Sequence, residues 1–278
     1  MPLLPTSLHN SSSWKDGIFL KIVNVIVYVV FLGFNVETLG GPHWGWHHYA
    51  KDTYITPAYW AWYVWTAIHT LLLGYIVYQF FPAAKKTIVD GVGWRFPAVV
   101  VLNSIYAALW NRGHTVAAFI FSILVSAAVS HTYYHVKVHH APDALTEEAF
   151  IHWPFGLWHG WTTFLVILTG FEAFGTSTSY HAGIWTKVFV FISLLFLEST
   201  SAGYAFGNKD GDIAGSAAIT WTLFAIYDHQ HRSDFIHWSA LVFAVLSLVW
   251  VGRAAFQMSQ RGRRGIFESE RAPLIGGH

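Results

Sequence analysis

The chain consists of long apolar runs separated by short polar segments. Dividing these runs at their glycines, prolines and charged residues gives eight segments: 17–35, 58–80, 96–111, 115–136, 150–173, 184–206, 213–229 and 234–256. A bilayer core about 30 Å thick is crossed by about 20 residues of helix. Only 11% of the residues are charged, whereas soluble domains carry about 25%. The sequence therefore predicts an all-α, polytopic transmembrane helical bundle with about eight spans.

Composition excludes several classes of function. The chain has no cysteine, which excludes disulfides, thiolate nucleophiles and cysteine-ligated iron–sulfur or zinc centres. Its net charge is +1, and no basic stripe accompanies the aromatic residues, so nucleic-acid binding is not expected. Phosphate-binding loops, nucleophile elbows and HExxH motifs are absent from the sequence. We therefore do not expect an enzyme of these classes.

The distribution of positive charges predicts an orientation. With eight spans and both termini in the cytosol, twelve Lys and Arg residues lie on the inner side. The four on the other side are Lys51, Arg112, Lys187 and Arg232. This bias follows the positive-inside rule. The sequence thus predicts a multi-pass protein with a cytosolic tail over residues 1–16, one transmembrane domain over 17–257, and a disordered basic tail over 258–278.

Three polar side chains are predicted at similar depth within the bilayer. Helix rise places His69 about 16 Å, Asn103 about 10 Å and His159 about 14 Å from the ends of their spans. Such groups are costly in lipid unless they face protein or water, so they are candidates for a functional site. A pocket with apolar walls and a few convergent polar groups is typical of small-molecule sites. The alternative is structural, because Asn and His often form hydrogen bonds between membrane helices.

Two histidine strings raise the possibility of a metal centre. The first is the HxxxHH string at His43, His47 and His48, and the second contains His131, His135 and His139. Imidazoles four residues apart lie on one helix face and can share a metal. The predicted topology places the two strings on opposite sides of the membrane, which argues against a single di-iron centre. A mononuclear site at His131, His135 and His139 remains the metal alternative.

Three sequence blocks resemble the tryptophan-rich sensory protein/translocator protein (TspO/MBR) superfamily. The first runs from Thr56-Pro57 through Trp65 and His69 to Gln79, and it resembles that family's second helix. Leu102-Asn103 with Trp110 resembles the third helix. The stretch from Trp153 to Thr162 resembles the start of the fifth helix in larger TspO-related proteins.

The resemblance implies a receptor or carrier whose cavity accepts planar hydrophobic ligands such as tetrapyrroles or sterols. The ligand-binding residues that it implies, together with the polar residues above, are Trp65, His69, Asn103, Trp110, His159 and Trp161. His69 stands where the family generally has tyrosine, so an axial ligand to haem or another metalloporphyrin is one hypothesis for it. The partners considered are a hydrophobic small molecule, membrane lipids and a second copy of the chain. The alternatives are a His-box metalloenzyme of the desaturase or hydroxylase kind and a non-catalytic structural subunit.

Overall fold

A computed structural model describes residues 15–39, 51–142, 144–207 and 211–271 of the protein. These residues form eight long helices and, within the described ranges, no strand. The helices are α1 (Ile18–Leu39), α2 (Val64–Tyr78), α3 (Arg95–Asn111), α4 (Thr115–His139), α5 (Trp153–Phe174), α6 (Ile184–Phe206), α7 (Ile213–His229) and α8 (Asp234–Arg271). Short 3₁₀ turns (Tyr59–Tyr63, Pro82–Ala84), π-helical turns (Lys85–Val92, Glu148–His152) and a single helical turn (Leu145–Glu147) precede α2, α3 and α5. The all-α prediction is confirmed.

Each predicted span coincides with one of these helices. The bounds of α6 and α7 are those predicted, and the ends of the other helices differ by a few residues except in α8. Helix α8 continues to Arg271. The tail expected to be disordered from residue 258 is therefore helical over residues 258–271, and residues 272–278 lie outside the described part.

Five helical segments are long and apolar enough to cross a membrane. They are Ile18–Asn35, Tyr59–Tyr78, Thr115–His139, Ile184–Phe206 and Asp234–Gln260. The pair Pro82–Val92 and Arg95–Asn111, bent by 62°, gives a sixth if it is counted as one span. Helices α5 and α7 do not qualify by this test. Helix α7 is short, with 17 residues, whereas α5 carries polar residues such as His159 and Glu172. Both helices are mostly buried, and polar residues in membrane helices are tolerated where they face the interior of the bundle.

Helices α5 and α7 connect two parts of the bundle. Helices α1 to α4 pack around one side of α5 through the pairs α1–α2, α1–α3, α3–α4, α2–α5 and α4–α5. Helices α6, α7 and α8 pack against one another, and α7 also packs against α5. Helices α5 and α7 lie so close together that a Cβ atom added to Gly160 would come within 2.7 Å of the carbonyl oxygen of Gly215. Small residues allow such approaches between membrane helices.

The two ends of the bundle carry different polar residues. At one end, which we call the Glu172 end, α3 and α5 finish side by side, and Trp110 of α3 contacts Glu172 of α5. At the other, the Asp212 end, Lys137 near the end of α4 pairs with Asp212 at the start of α7. The tight turn at Gly113, with φ of +75°, reverses the chain between α3 and α4 at the Glu172 end. A positive φ of this size favours glycine, since other residues pay a steric cost there.

Candidate functional site

Two of the predicted site residues belong to an aromatic cluster in the interior of the bundle. The His69 ring lies 4.6 Å from the Phe31 ring and 5.9 Å from the Trp65 ring, centroid to centroid. Phe31 in turn stacks on Trp158 of α5 at 5.2 Å. His69 is only 3% exposed, and the described residues offer neither of its ring nitrogens a hydrogen-bond partner. The histidine is therefore held by ring contacts and not by polar ones.

Asn103 and Trp161 adjoin the same cluster and keep hydrogen-bonding capacity. The indole Nε1 of Trp158 donates to Oδ1 of Asn103 at 3.4 Å. Trp161 packs edge-on against Trp65 at 6.4 Å and against Trp62 at 5.4 Å. Among the described residues, neither Nδ2 of Asn103 nor Nε1 of Trp161 has an acceptor. Two buried donors in this region are thus available to an acceptor that the protein does not itself supply.

Trp110 lies further toward the Glu172 end. Its Nε1 donates to Oε2 of Glu172 at 2.8 Å, and its ring is tilted against that of Trp62 at 5.2 Å. Trp62 also contacts Trp161, so it links this pair to the interior cluster. Glu172 is only 5% exposed. The indole N–H stabilises a carboxyl group that burial alone would disfavour in its charged form.

A cleft of about 270 Å³ opens beside this pair. Its apolar walls include Trp62, Trp110 and Leu168, and its polar lining includes Lys51, Asp52, Glu172 and His229. Ligand pockets in proteins typically measure about 300–1,000 Å³ and combine apolar walls with a few polar groups. The cleft has that character and lies near the lower limit of size.

Charged residues at the mouth of the cleft are paired with one another. Asp52 Oδ1 lies 3.1 Å from Nε2 of His229, and Thr178 donates to Oδ2 of Asp52 at 2.7 Å. Burial raises the pKa of Asp52, but the hydrogen bonds from His229 and Thr178 outweigh it and hold that pKa below its ordinary value. Lys51 Nζ donates to the carbonyl oxygen of Gly175. The mouth therefore carries both signs of charge.

His159 belongs to a different group of side chains. Its ring stacks on Tyr133 of α4 at 4.6 Å, and its Nδ1 is hydrogen-bonded to the hydroxyl of Tyr204 in α6. The Tyr133 hydroxyl donates to Asp212 at 2.8 Å. Adjacent positions on a helix are rotated by about 100°, so His159 and Trp158 face different neighbours. Of the three polar residues predicted at one depth, the structure links His69 and Asn103 through Phe31 and Trp158, and directs His159 toward the Asp212 end.

Sequence reasoning missed three residues of this region. They are Trp62, Trp158 and Glu172, none of which is among the predicted site residues. A signal existed for two of them. Glu172 follows Trp161 by eleven residues, close to three helical turns, and Trp62 precedes Trp65 by three residues. Both spacings place the residues on the face that carries a predicted site residue.

The histidine strings do not assemble into a metal centre in the described part of the chain. The rings of His131, His135 and His139 are neighbours. However, no group of three or more His, Asp or Glu residues among the described ones is arranged to hold a metal ion. Arg95 Nε also donates to Nε2 of His131 at 3.2 Å, which occupies one potential ligand atom. His43, His47 and His48 lie outside the described residues.

Comparison with known proteins supports the resemblance of the sequence blocks. No curated protein and no solved structure matches the chain. The model of the TSPO-like protein family matches residues 18–253. This match extends from α1 into α8 and includes both the aromatic cluster and the cleft. The chain is therefore a membrane protein of the TSPO-like protein family.

Proposed function

We propose that the protein is a non-enzymatic membrane receptor or carrier that binds a planar, mostly apolar molecule at the cleft of the Glu172 end. The observation that carries this proposal is the meeting of two indole rings and a buried carboxyl group around an open volume of about 270 Å³. Trp62 and Trp110 present apolar surface to a ligand, and Glu172 presents an acceptor. Membership of the TSPO-like family agrees with this function.

Two buried donors that lie behind the cleft lining, and do not line it themselves, favour a ligand that carries hydrogen-bond acceptors. Trp161, which contacts the cleft wall at Trp62, has a buried Nε1 without an acceptor among the described residues, and Asn103 has an equivalent Nδ2. A buried donor without a partner costs about 1–3 kcal/mol. A ligand that brings carbonyl, carboxylate or ring-nitrogen acceptors to these donors would remove that cost. Tetrapyrroles carry such acceptors, and we favour them over sterols for this reason.

The size of the cleft limits how much of such a ligand it encloses. At about 270 Å³, the volume is slightly below that of typical drug-sized sites. We therefore infer that one edge of a tetrapyrrole packs against Trp62 and Trp110 in the cleft while the remainder stays at the mouth. There, Lys51 provides positive charge for a propionate group of a porphyrin.

Axial ligation of haem by His69 does not fit the arrangement of the interior. Its nitrogens are without protein partners, which agrees with a ligand atom. However, the ring is packed between Phe31 and Trp65, and Phe31 is itself stacked on Trp158. A macrocycle beside His69 would have to displace these rings. We therefore assign the binding of a tetrapyrrole to the cleft and no metal ligation to His69.

The test is a titration of the purified protein with protoporphyrin IX in detergent, followed through the absorption of the porphyrin itself. This readout does not depend on the number of tryptophans in each variant. Loss of one aromatic contact is worth about 0.5–1.5 kcal/mol, so Trp62→Leu should weaken binding about 2- to 10-fold. Trp185→Leu is the matched control, because Trp185 is 71% exposed and does not line the cleft.

Equal affinity in the two variants and the unchanged protein would refute the cleft as the binding site. Asn103→Leu tests the buried donors behind the cleft separately. If Asn103→Leu abolished binding and Trp62→Leu had no effect, the ligand would lie at the bilayer midplane and not at the cleft. Thermal unfolding in the same detergent identifies any variant that has lost its fold.

A further inference from the structure

Four histidines gather where α4 ends at the Asp212 end, and the proposed function does not use them. His135 is central: its ring lies 6.3 Å from that of His131, 5.0 Å from that of His139 and 5.6 Å from that of His140. We call these four residues the histidine cluster. They come from adjacent turns of one helix and its first following residue, so the backbone of α4 holds them together.

A guanidinium group from a second helix joins the cluster. Arg95, the first residue of α3, donates through Nε to His131 at 3.2 Å and through Nη1 to the carbonyl oxygen of Gly91 at 2.8 Å. The described residues provide no acceptor for its Nη2. Two bonds therefore fix the orientation of the guanidinium group and leave N–H groups for an external acceptor. A fixed guanidinium is well suited to phosphate oxygens, which it can bind through two N–H groups.

His140 adjoins Arg95 through Gly91, the residue whose carbonyl oxygen accepts from Arg95. Its ring packs over Gly91, where an added Cβ atom would come within 2.6 Å of Nε2. Its Nδ1 is buried and has no partner among the described residues. Burial lowers the pKa of His140, the positive charges of Lys86, His139 and Arg95 lower it further, and Asp90 opposes them. These influences favour the neutral ring of His140, so the positive charge beside the cluster comes from Arg95 and Lys86, against one negative group, Asp90.

The exposed residues beside the cluster indicate that it lies at the membrane surface. On α4, Tyr134 is 57% exposed and Val138 is 68% exposed, and both flank the histidines along the helix. Apolar and tyrosine side chains exposed at the end of a membrane helix are typical of the interface with the lipid headgroups. Basic pockets between membrane helices at this level bind anionic headgroups.

We propose that Arg95 and the histidine cluster form a binding site for the phosphate of an anionic phospholipid headgroup. Arg95 supplies a fixed bidentate donor, and His139 and His140 supply further N–H donors around the phosphate. The acyl chains extend along the exposed surface of α4 at Tyr134 and Val138. Metal binding is not favoured, because these residues are not arranged to hold an ion.

The test compares two short-chain lipids that differ in headgroup charge. The full-length protein in a nonionic detergent is titrated with dioctanoyl phosphatidic acid and with dioctanoyl phosphatidylcholine, and bound lipid is measured by native mass spectrometry. We expect a clear preference for phosphatidic acid. One basic residue near a membrane surface contributes about fivefold to the binding of anionic lipid, so Arg95→Gln should weaken binding about fivefold.

Arg112→Gln is the matched control, since Arg112 is exposed just beyond the other end of the same helix and should bind phosphatidic acid as the unchanged protein does. If Arg95→Gln lowers the stability of the protein, His139→Gln provides a second variant at an exposed position. Equal binding of the two lipids, or an equal loss in Arg112→Gln, would overturn the proposal. Binding of inorganic phosphate as strongly as phosphatidic acid would also overturn the assignment to a lipid.

Discussion

Glu172 and Asp212 are equally buried, each 5% exposed, yet they occupy opposite ends of the bundle and have different surroundings. Asp212 accepts hydrogen bonds from the Tyr133 hydroxyl at 2.8 Å, from Lys137 at 3.3 Å and from the backbone N–H of Gly215 at 3.0 Å. The last bond caps the first turn of α7. Glu172 accepts the indole N–H of Trp110 and lines the cleft.

The difference separates a structural carboxylate from a candidate functional one. Where the protein supplies several donors to a buried charge, removal of that charge leaves those donors without partners, and the fold depends on it. Where a cavity adjoins the charge, a ligand can supply what the protein does not. Burial alone, which is the same for both residues, does not distinguish the two cases. The predictions below test this distinction.

The largest effect is expected for Asp212→Ala. The change leaves Lys137, whose side chain is 13% exposed, without its partner and removes the cap of α7. Loss of one member of a buried ion pair costs about 3–5 kcal/mol. Chemical unfolding in detergent measures the effect. Asp228→Ala is the control, because Asp228 is exposed and, among the described residues, bonds only to Trp60. Equal losses for the two variants would refute the structural role.

Glu172→Gln should change stability by no more than about 1 kcal/mol, since the glutamine amide oxygen can still accept the indole N–H of Trp110 and a neutral hydrogen bond is worth about that much. The same unfolding measurement tests this. Glu172→Leu, which removes the acceptor, is the comparison variant and should be less stable than Glu172→Gln. A loss in Glu172→Gln as large as that in Asp212→Ala would show that Glu172 is also structural.

A buried cluster of serine hydroxyls, which carries no charge, provides a third case for the comparison of Glu172 and Asp212. The hydroxyls of Ser201, Ser216 and Ser247 are linked at 2.7 Å between α6, α7 and α8. Hydrogen bonds between membrane helices contribute about 0.6 kcal/mol on average. Ser247 makes two of them, with Ser201 and Thr220, so Ser247→Ala should destabilise the protein by about 1 kcal/mol. Ser239→Ala on the same helix is the control, because its hydroxyl bonds to the carbonyl of Phe235 within α8. A loss of several kcal/mol would show that charge does not decide how strongly the fold depends on a buried polar group.

The smallest change in stability is expected at the mouth of the cleft, from the ionisation of Asp52. The pKa of Asp52 is lower in the folded protein than its ordinary value. The ionised side chain therefore contributes fully to the free energy of unfolding when the pH is above about 3.9, the pKa of aspartate in an unfolded chain. This contribution is lost as the pH falls through the lower, folded pKa. The side chain is 50% exposed, so water screens the interaction and we expect less than about 1 kcal/mol. Stability measured between pH 6 and pH 3 should fall less in Asp52→Asn than in the unchanged protein; an identical fall would contradict the pairing.

The spans were predictable because their signal is local. An apolar run about 20 residues long reports on lipid directly, and α6, which is long and apolar enough to cross a membrane, begins and ends at the residues expected. The resemblance to the TspO/MBR superfamily was likewise carried by contiguous blocks around Trp65, Asn103 and His159. The helical extension of α8 beyond residue 257 was not predicted, because a polar, arginine-rich segment has no hydrophobic periodicity to indicate a helix.

The grouping of the site residues was less predictable for a geometric reason. Helix rise gives the depth of a residue from its position in a span, and His69, Asn103 and His159 were placed at similar depth in this way. It does not give the direction in which the side chain points relative to other helices. His159 and Trp158 are adjacent in the chain, but one packs on Tyr133 and the other on Phe31.

The sequence by itself determined that the chain folds into membrane helices, where those helices lie and which family it resembles, because these properties depend on contiguous residues. The tertiary structure decided which polar groups are satisfied and which adjoin open space. The partners of Glu172 and Asp212 lie 62 and 79 residues away, in Trp110 and Tyr133. Contacts at that separation depend on how helices pack, and only the packing distinguishes a carboxyl group enclosed by donors from one beside a cleft.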